Sequence, residues 1–160
     1  MTAPATDYEI LITRILDAPR SLVFKVWTEP EHIGQWWLPV GFTRLACQLD
    51  LRVGGMFRID MMAPDGSRQP CEGIYEEIVA PERIVYRGMS DDRHACGCGI
   101  PPYSWVTVSF TELGAQTRLD IRASLASEAA RKDTTDAGFG PGWSHVLDVL
   151  ERVLQQSSEL

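Results

Sequence analysis

A chain of 160 residues, 44% hydrophobic with a formal net charge of −7, is the size of one ordinary domain, long enough to bury about 70% of its unfolded surface around a single core. The acidic balance argues against nucleic acid or an anionic membrane as partner, because phosphate binding needs clustered cations, whereas Arg52, Arg58, Arg83, Arg87 and Arg122 are scattered among acids. No apolar run approaches the roughly 20 residues that span a bilayer, and "MTAPATDY" lacks the basic-then-apolar pattern of an export signal. The expectation is one cytoplasmic domain over 1–160, with its core at about 8–156, no membrane insertion and free thiols at Cys47, Cys71, Cys96 and Cys98.

In chain order, "YEILITRIL" (8–16) carries Tyr8, Ile10 and Ile12 at period two and reads as a half-buried strand. It stops at "DAP", and Pro19 suits the first turn of a helix in which Val23, Val26 and Trp27 follow three/four spacing. Thr28 and Glu31 match a capping box with Pro30 between them, so a second short helix is predicted to start at that point. Directly after it comes "GQWWLPVGFT", with two adjacent tryptophans. Each such ring can remove about 150–250 Å² from water, so at least one of Trp36 and Trp37 is expected to be buried. They either close the end of a core or line the mouth of an apolar site.

From residue 43 to 126 the period is two. "TRLACQLDLRVGG" alternates Leu45, Cys47, Leu49 and Leu51 against Arg44, Gln48, Asp50 and Arg52, and "MFRIDMM" alternates Phe57, Ile59 and Met61 against Arg58 and Asp60. Gly54-Gly55 between them signals a hairpin. "APDGS" is the next turn, "CEGIYEEIV" the next strand, "APER" another turn and "IVYRGM" another strand. "YSWVTVSFTEL" and "QTRLDIRASL" set Val106, Val108 and Phe110 opposite Leu119, Ile121 and Ala123 across a Gly114-Ala115 turn. In "GWSHVLDVLERVLQQ" the spacing changes to that of an amphipathic helix with Trp143, Val146, Leu147, Leu150, Val153 and Leu154 on one side. "FGPG" leaves its start open, although Pro141 fits a first turn. The order is strand, two short helices, six strands and one long helix, an α+β arrangement in which a curved antiparallel sheet of six to seven strands buries its apolar face on that helix.

These strings resemble the helix-grip fold of the START-like, SRPBCC superfamily, and in particular its branch of homologues of the heat-shock-protein ATPase activator. "APRSLVFKVWTEPEHIGQWWLPVGFT", "DLRVGGMFRIDM", "PDG", "GIYEEIVAPERIVY", "VTVSFTELGAQTRLDI" and "GWSHVLDVLERVL" carry the resemblance from about residue 9 to residue 155. It implies a space between sheet and C-terminal helix that superfamily members use for apolar molecules, and it implies no single reaction, since the superfamily mixes carriers, cyclases, sensors and co-chaperone domains. A chaperone partner belongs to the alternative reading and rests on this resemblance alone.

The expected function is a small protein that encloses an apolar or amphipathic molecule. Alternatives are a module regulating a partner ATPase, and a cyclase-like or hydrolytic enzyme. The candidate wall is Trp36 and Trp37, Phe57, Ile59 and Met61, Val106, Val108 and Phe110, and Phe139, Trp143 and Leu147. Apolar periodicity describes a packed core equally well. Tyr75, Tyr86 and Tyr103 can each orient a ligand with a hydroxyl.

No catalytic motif appears: His32, His94 and His145 lie on different elements. Glu72, Glu76 and Glu77 would serve as bases if turned inward, but a solvated sheet face is their expected place. "GFGPG" lacks the lysine and spacing of a phosphate loop. "RHACGCG" offers His94, Cys96 and Cys98 to a soft metal or to redox chemistry. C-x-C misses the usual zinc spacing, and a Gly-rich loop, or a lid, is the other reading. No cofactor is expected, and a homodimer covering an edge strand stays open.

Overall fold

The computed structural model describes residues 8–37, 41–68, 71–88, 104–136 and 138–158. The elements are β1 (Glu9–Leu16), α1 (Arg20–Thr28), α2 (Pro30–Trp36), β2 (Thr43–Leu49), β3 (Met56–Met62), β4 (Cys71–Val79), β5 (Arg83–Gly88), β6 (Trp105–Leu113), β7 (Gln116–Ser124), α3 (Glu128–Asp136) and α4 (Phe139–Ser158). The seven strands form one sheet in the order β1-β7-β6-β5-β4-β3-β2. Every neighbouring pair is antiparallel. This is the helix-grip arrangement: a meander of hairpins, closed by β1 against β7, with α4 packed on the inner face.

Period two decides what the sheet buries. Val106 stands opposite Ala123, Val108 opposite Ile121 and Phe110 opposite Leu119, and all six are buried. On β3, further along the sheet, Phe57, Ile59 and Met61 also turn inward. The apolar stripe of α4, from Trp143 through Val146, Leu147 and Leu150, belongs to the same core. Burying the two stripes on each other is the main favourable term, at about 1.5–3 kcal/mol for each large apolar side chain.

Charge covers the outer face. Arg122 pairs with Glu9, Arg118 with Asp120, Arg87 with Glu76, Arg83 with Glu77, and Arg58 with both Asp60 and Glu72. On the free edge of β1, Arg14 reaches α4, where its guanidinium lies 2.6 Å from Asp148 and donates to Ser144.

Four sequence expectations change. The Thr28–Glu31 capping box does not form: the Thr28 hydroxyl donates back to the Phe24 carbonyl at 2.8 Å, and Glu29 is the N-cap of α2 without a side-chain cap bond. A hydroxyl in the last turn of a helix has that carbonyl within reach, and here it wins over the next helix's N–H groups. Leu45 and Leu51 are exposed rather than inward, because a register shift between Arg44 and Ala46 interrupts the alternation and β2 ends at Leu49. The helix α3 was not expected. It is polar and buries only Thr134, so it lacks an apolar stripe; its local signal is Ser127, whose hydroxyl accepts the Ala130 N–H at 3.1 Å. Finally, the loose start of α4 resolves at Phe139, after Gly138 with φ +89°.

Candidate functional site

The inner face carries an aromatic cluster drawn from three helices and four strands. Trp27 of α1 is its hub: its ring contacts Trp36 at 4.6 Å between centroids, Phe110 of β6 at 5.6 Å, Trp37 at 5.8 Å and Trp143 of α4 at 5.9 Å. Trp37 follows the last residue of α2, and its ring meets Phe57 of β3 at 4.7 Å and Trp143 at 5.0 Å. Beyond Phe57 lie Tyr86 of β5 at 5.3 Å and Tyr75 of β4 at 6.2 Å. The two tyrosines are register partners, and their rings are 5.3 Å apart. Tilted and edge-to-face pairs of this kind each add about 0.5–1.5 kcal/mol beyond area burial.

The polar handles of these rings divide into two groups. The Trp27 indole N–H donates to the Tyr86 hydroxyl at 3.0 Å, and the Trp36 indole N–H donates to the Val26 carbonyl at 3.1 Å. The indole N–H groups of Trp37 and Trp143 and the Tyr75 hydroxyl are buried with no hydrogen-bond partner among the described residues. Burial pushes the Tyr75 phenol well above its usual range, with Cys47 and Asp50 adding to the effect. Tyr75 therefore stays a neutral hydroxyl at physiological pH.

Every wall residue named from the sequence, from Trp36 to Leu147, is at most 1% exposed, and Tyr75 and Tyr86 are fully buried. The structure brings them into one core cluster. Trp27 and Phe24 were missing from that set. Both lie on the apolar side of α1, a signal legible in "LVFKVW", although nothing in that spacing distinguishes a hub from an ordinary core residue. Tyr103 and the trio His94, Cys96 and Cys98 lie outside the described residues.

Glu72, Glu76 and Glu77 sit on the outer face among arginines, as expected, and supply no inward base. Cys47 is half-buried beside the core, and burial raises its thiol pKa despite the nearby Arg44, the opposite of an activated thiolate. Among the described residues, one group suits a cation by proximity: Glu29, Glu31 and His32, whose ligand atoms lie within 4.8 Å of one another. Glu29 already pairs with His32 at 3.3 Å, and an acidic helix start of this kind arises without a metal. No helix among the described residues is long and apolar enough to cross a membrane.

The family model for activator of Hsp90 ATPase homolog 1-like proteins matches residues 17–155. The chain belongs to that family. No curated protein matches it. Among solved structures, a protein from Nitrosomonas europaea is 25% identical, with 98% of this chain and 100% of that chain covered and a TM-score of 0.84. A protein from Rhodobacter sphaeroides is 17% identical, with 96% of each chain covered and a TM-score of 0.82. An AHSA1-like protein from Aeromonas hydrophila is 20% identical, with 94% of each chain covered and a TM-score of 0.69. The last two show the fold alone. The aromatic cluster of this family member spans α1, α2 and α4 on one side and β3 to β6 on the other, which is the grip of the helix-grip fold.

Proposed function

We propose that this chain is a single START-like domain over 1–160 that encloses an apolar or amphipathic small molecule between the inner face of the sheet and α4. The observation that carries the reading is the composition of that grip. Four tryptophans, two tyrosines and the phenylalanines Phe57, Phe110 and Phe139 meet there with all rings buried, a rigid aromatic surface of the kind that lines small-molecule sites. Ile59, Met61, Val106, Val108 and Leu147 complete the wall. Among its described members there is no carboxylate, imidazole or amine, which favours binding over acid–base catalysis.

The family description favours a second reading, a module that acts on a chaperone ATPase. It predicts an exposed docking surface instead of an enclosed site.

A native mass spectrum of freshly purified protein, repeated under denaturing conditions, tests the two. An organic mass that leaves on denaturation supports the enclosed ligand. A spectrum with no such mass, from protein that captures a chaperone ATPase in a pull-down, supports the second reading.

A further inference from the structure

Three buried donors in one connected cluster have no partner among the described residues and need an explanation. Native interiors pair nearly all such groups, because one left bare has given up its hydrogen bonds to water and gained none in return. The cluster contains its own control, because Trp27 and Trp36 are equally buried indoles whose N–H groups do find acceptors, at 3.0 and 3.1 Å. The fold thus satisfies indoles where it has acceptors, and leaves Trp37, Trp143 and Tyr75 open. The Trp37 and Trp143 rings touch, with centroids 5.0 Å apart. Tyr75 joins them through Phe57, whose ring lies 4.7 Å from Trp37 and 6.2 Å from Tyr75.

The chemistry of these groups selects what can face them. An indole N–H only donates, so the matching group on an occupant accepts. A quaternary or primary ammonium would suit the ring faces but meets N–H edges that repel it. A carboxylate would need a buried cation, and none lies among the described residues of the cluster; an unpaired buried charge is far costlier than a neutral acceptor. We propose that the enclosed molecule presents a neutral acceptor oxygen, a carbonyl or ether on an otherwise apolar body, to the indole N–H groups of Trp37 and Trp143, with the Tyr75 hydroxyl as a second contact. This rests on the enclosed-ligand reading above and specifies the class of ligand.

The test compares two probes of nearly equal shape, acetophenone and α-methylstyrene, which differ by an oxygen in place of a methylene. Both are titrated into ligand-stripped, ¹⁵N-labelled full-length protein, and the indole N–H resonances are followed. Trp37→Phe and Trp143→Phe assign the two signals.

The expected result is that acetophenone binds about tenfold tighter and moves both signals downfield, whereas α-methylstyrene leaves them near their starting positions. Tyr75→Phe, which keeps the ring, is expected to narrow the difference without abolishing binding of the hydrocarbon. Equal affinity for the two probes overturns the acceptor inference while the enclosed-ligand reading stands; binding of neither overturns both. Indole signals already at hydrogen-bonded positions in the stripped protein also overturn it, since the donors would then have a partner within the chain.

Discussion

The indoles of Trp27 and Trp143 lie parallel, 4° apart with centroids 5.9 Å from each other, and so join the first helix of the chain to its last. Only Trp27 also makes a hydrogen bond with its ring nitrogen. Replacing either by phenylalanine removes the same ring area and the same stack. Trp27→Phe is therefore expected to cost about 2 kcal/mol more than Trp143→Phe, because it loses a buried hydrogen bond whereas Trp143→Phe deletes a buried donor with no partner among the described residues, each effect being worth about 1 kcal/mol. Urea denaturation of the two variants measures the difference, and equal costs would mean that neither effect operates.

Tyr75→Phe is expected to stabilise the ligand-free protein by about 1 kcal/mol, because it deletes a buried hydroxyl that has no partner among the described residues and keeps the ring. The sign of its pH effect follows from burial raising the phenol pKa. The folded state keeps the proton at alkaline pH where the unfolded chain has lost it. That contribution is complete below the ordinary phenol value of about 10 and is lost progressively above it, by about 1.4 kcal/mol per pH unit. The variant should show a shallower alkaline loss of stability in denaturant titrations from about pH 9 upward. An unchanged alkaline slope would contradict the burial of this phenol.

The turn between β2 and β3 separates two adjacent glycines. A Cβ on Gly55 would stand 2.0 Å from the Asp50 carbonyl oxygen, whereas one on Gly54 would meet nothing within 4 Å and suffers only from a φ of +86°. The backbone of this turn also bonds to Tyr75, through Gly54 N–H to its carbonyl and its N–H to the Gly55 carbonyl. Gly54→Ala is expected to cost about 1 kcal/mol of left-handed strain. Gly55→Ala should cost about 2–4 kcal/mol, because a backbone atom cannot step aside. Thermal unfolding checks the order, and a Gly55→Ala cost no larger than that of Gly54→Ala would refute it.

Ser127 caps α3, and Glu128 pairs with Arg131 one turn on. Since this helix buries so little, Ser127→Ala is expected to act locally. Loss of the cap, worth about 1 kcal/mol, should speed amide exchange within α3 roughly fivefold while α4 and the sheet keep their protection. Uniformly faster exchange across the molecule would show that α3 unfolds only with the whole.

The residues of the candidate site were legible from the sequence in part, as far as their burial goes. Each named wall residue is buried, since a strand that alternates or a helix that repeats every three or four residues announces its inward face locally. What ring periodicity does not announce is the partner of each polar handle. Trp27 and Tyr86 are 59 residues apart, and no local pattern distinguishes that indole from the one at Trp143, which has no partner among the described residues. The same limit explains the hub role of Trp27, which depends on α1, α2 and α4 arriving at one place.

By itself the sequence determined the order of the elements, the antiparallel meander and the faces that turn inward, because short-range spacing and turn residues encode them. Tertiary structure decided the rest. The register shift at Arg44 and Ala46 put Leu45 outside. The Thr28 hydroxyl chose a carbonyl in its own helix over the cap. A polar segment without an apolar stripe became α3. None of these outcomes is written in the spacing of apolar residues, because a bulge, a hydroxyl's choice of acceptor and a helix without an apolar stripe each depend on individual contacts.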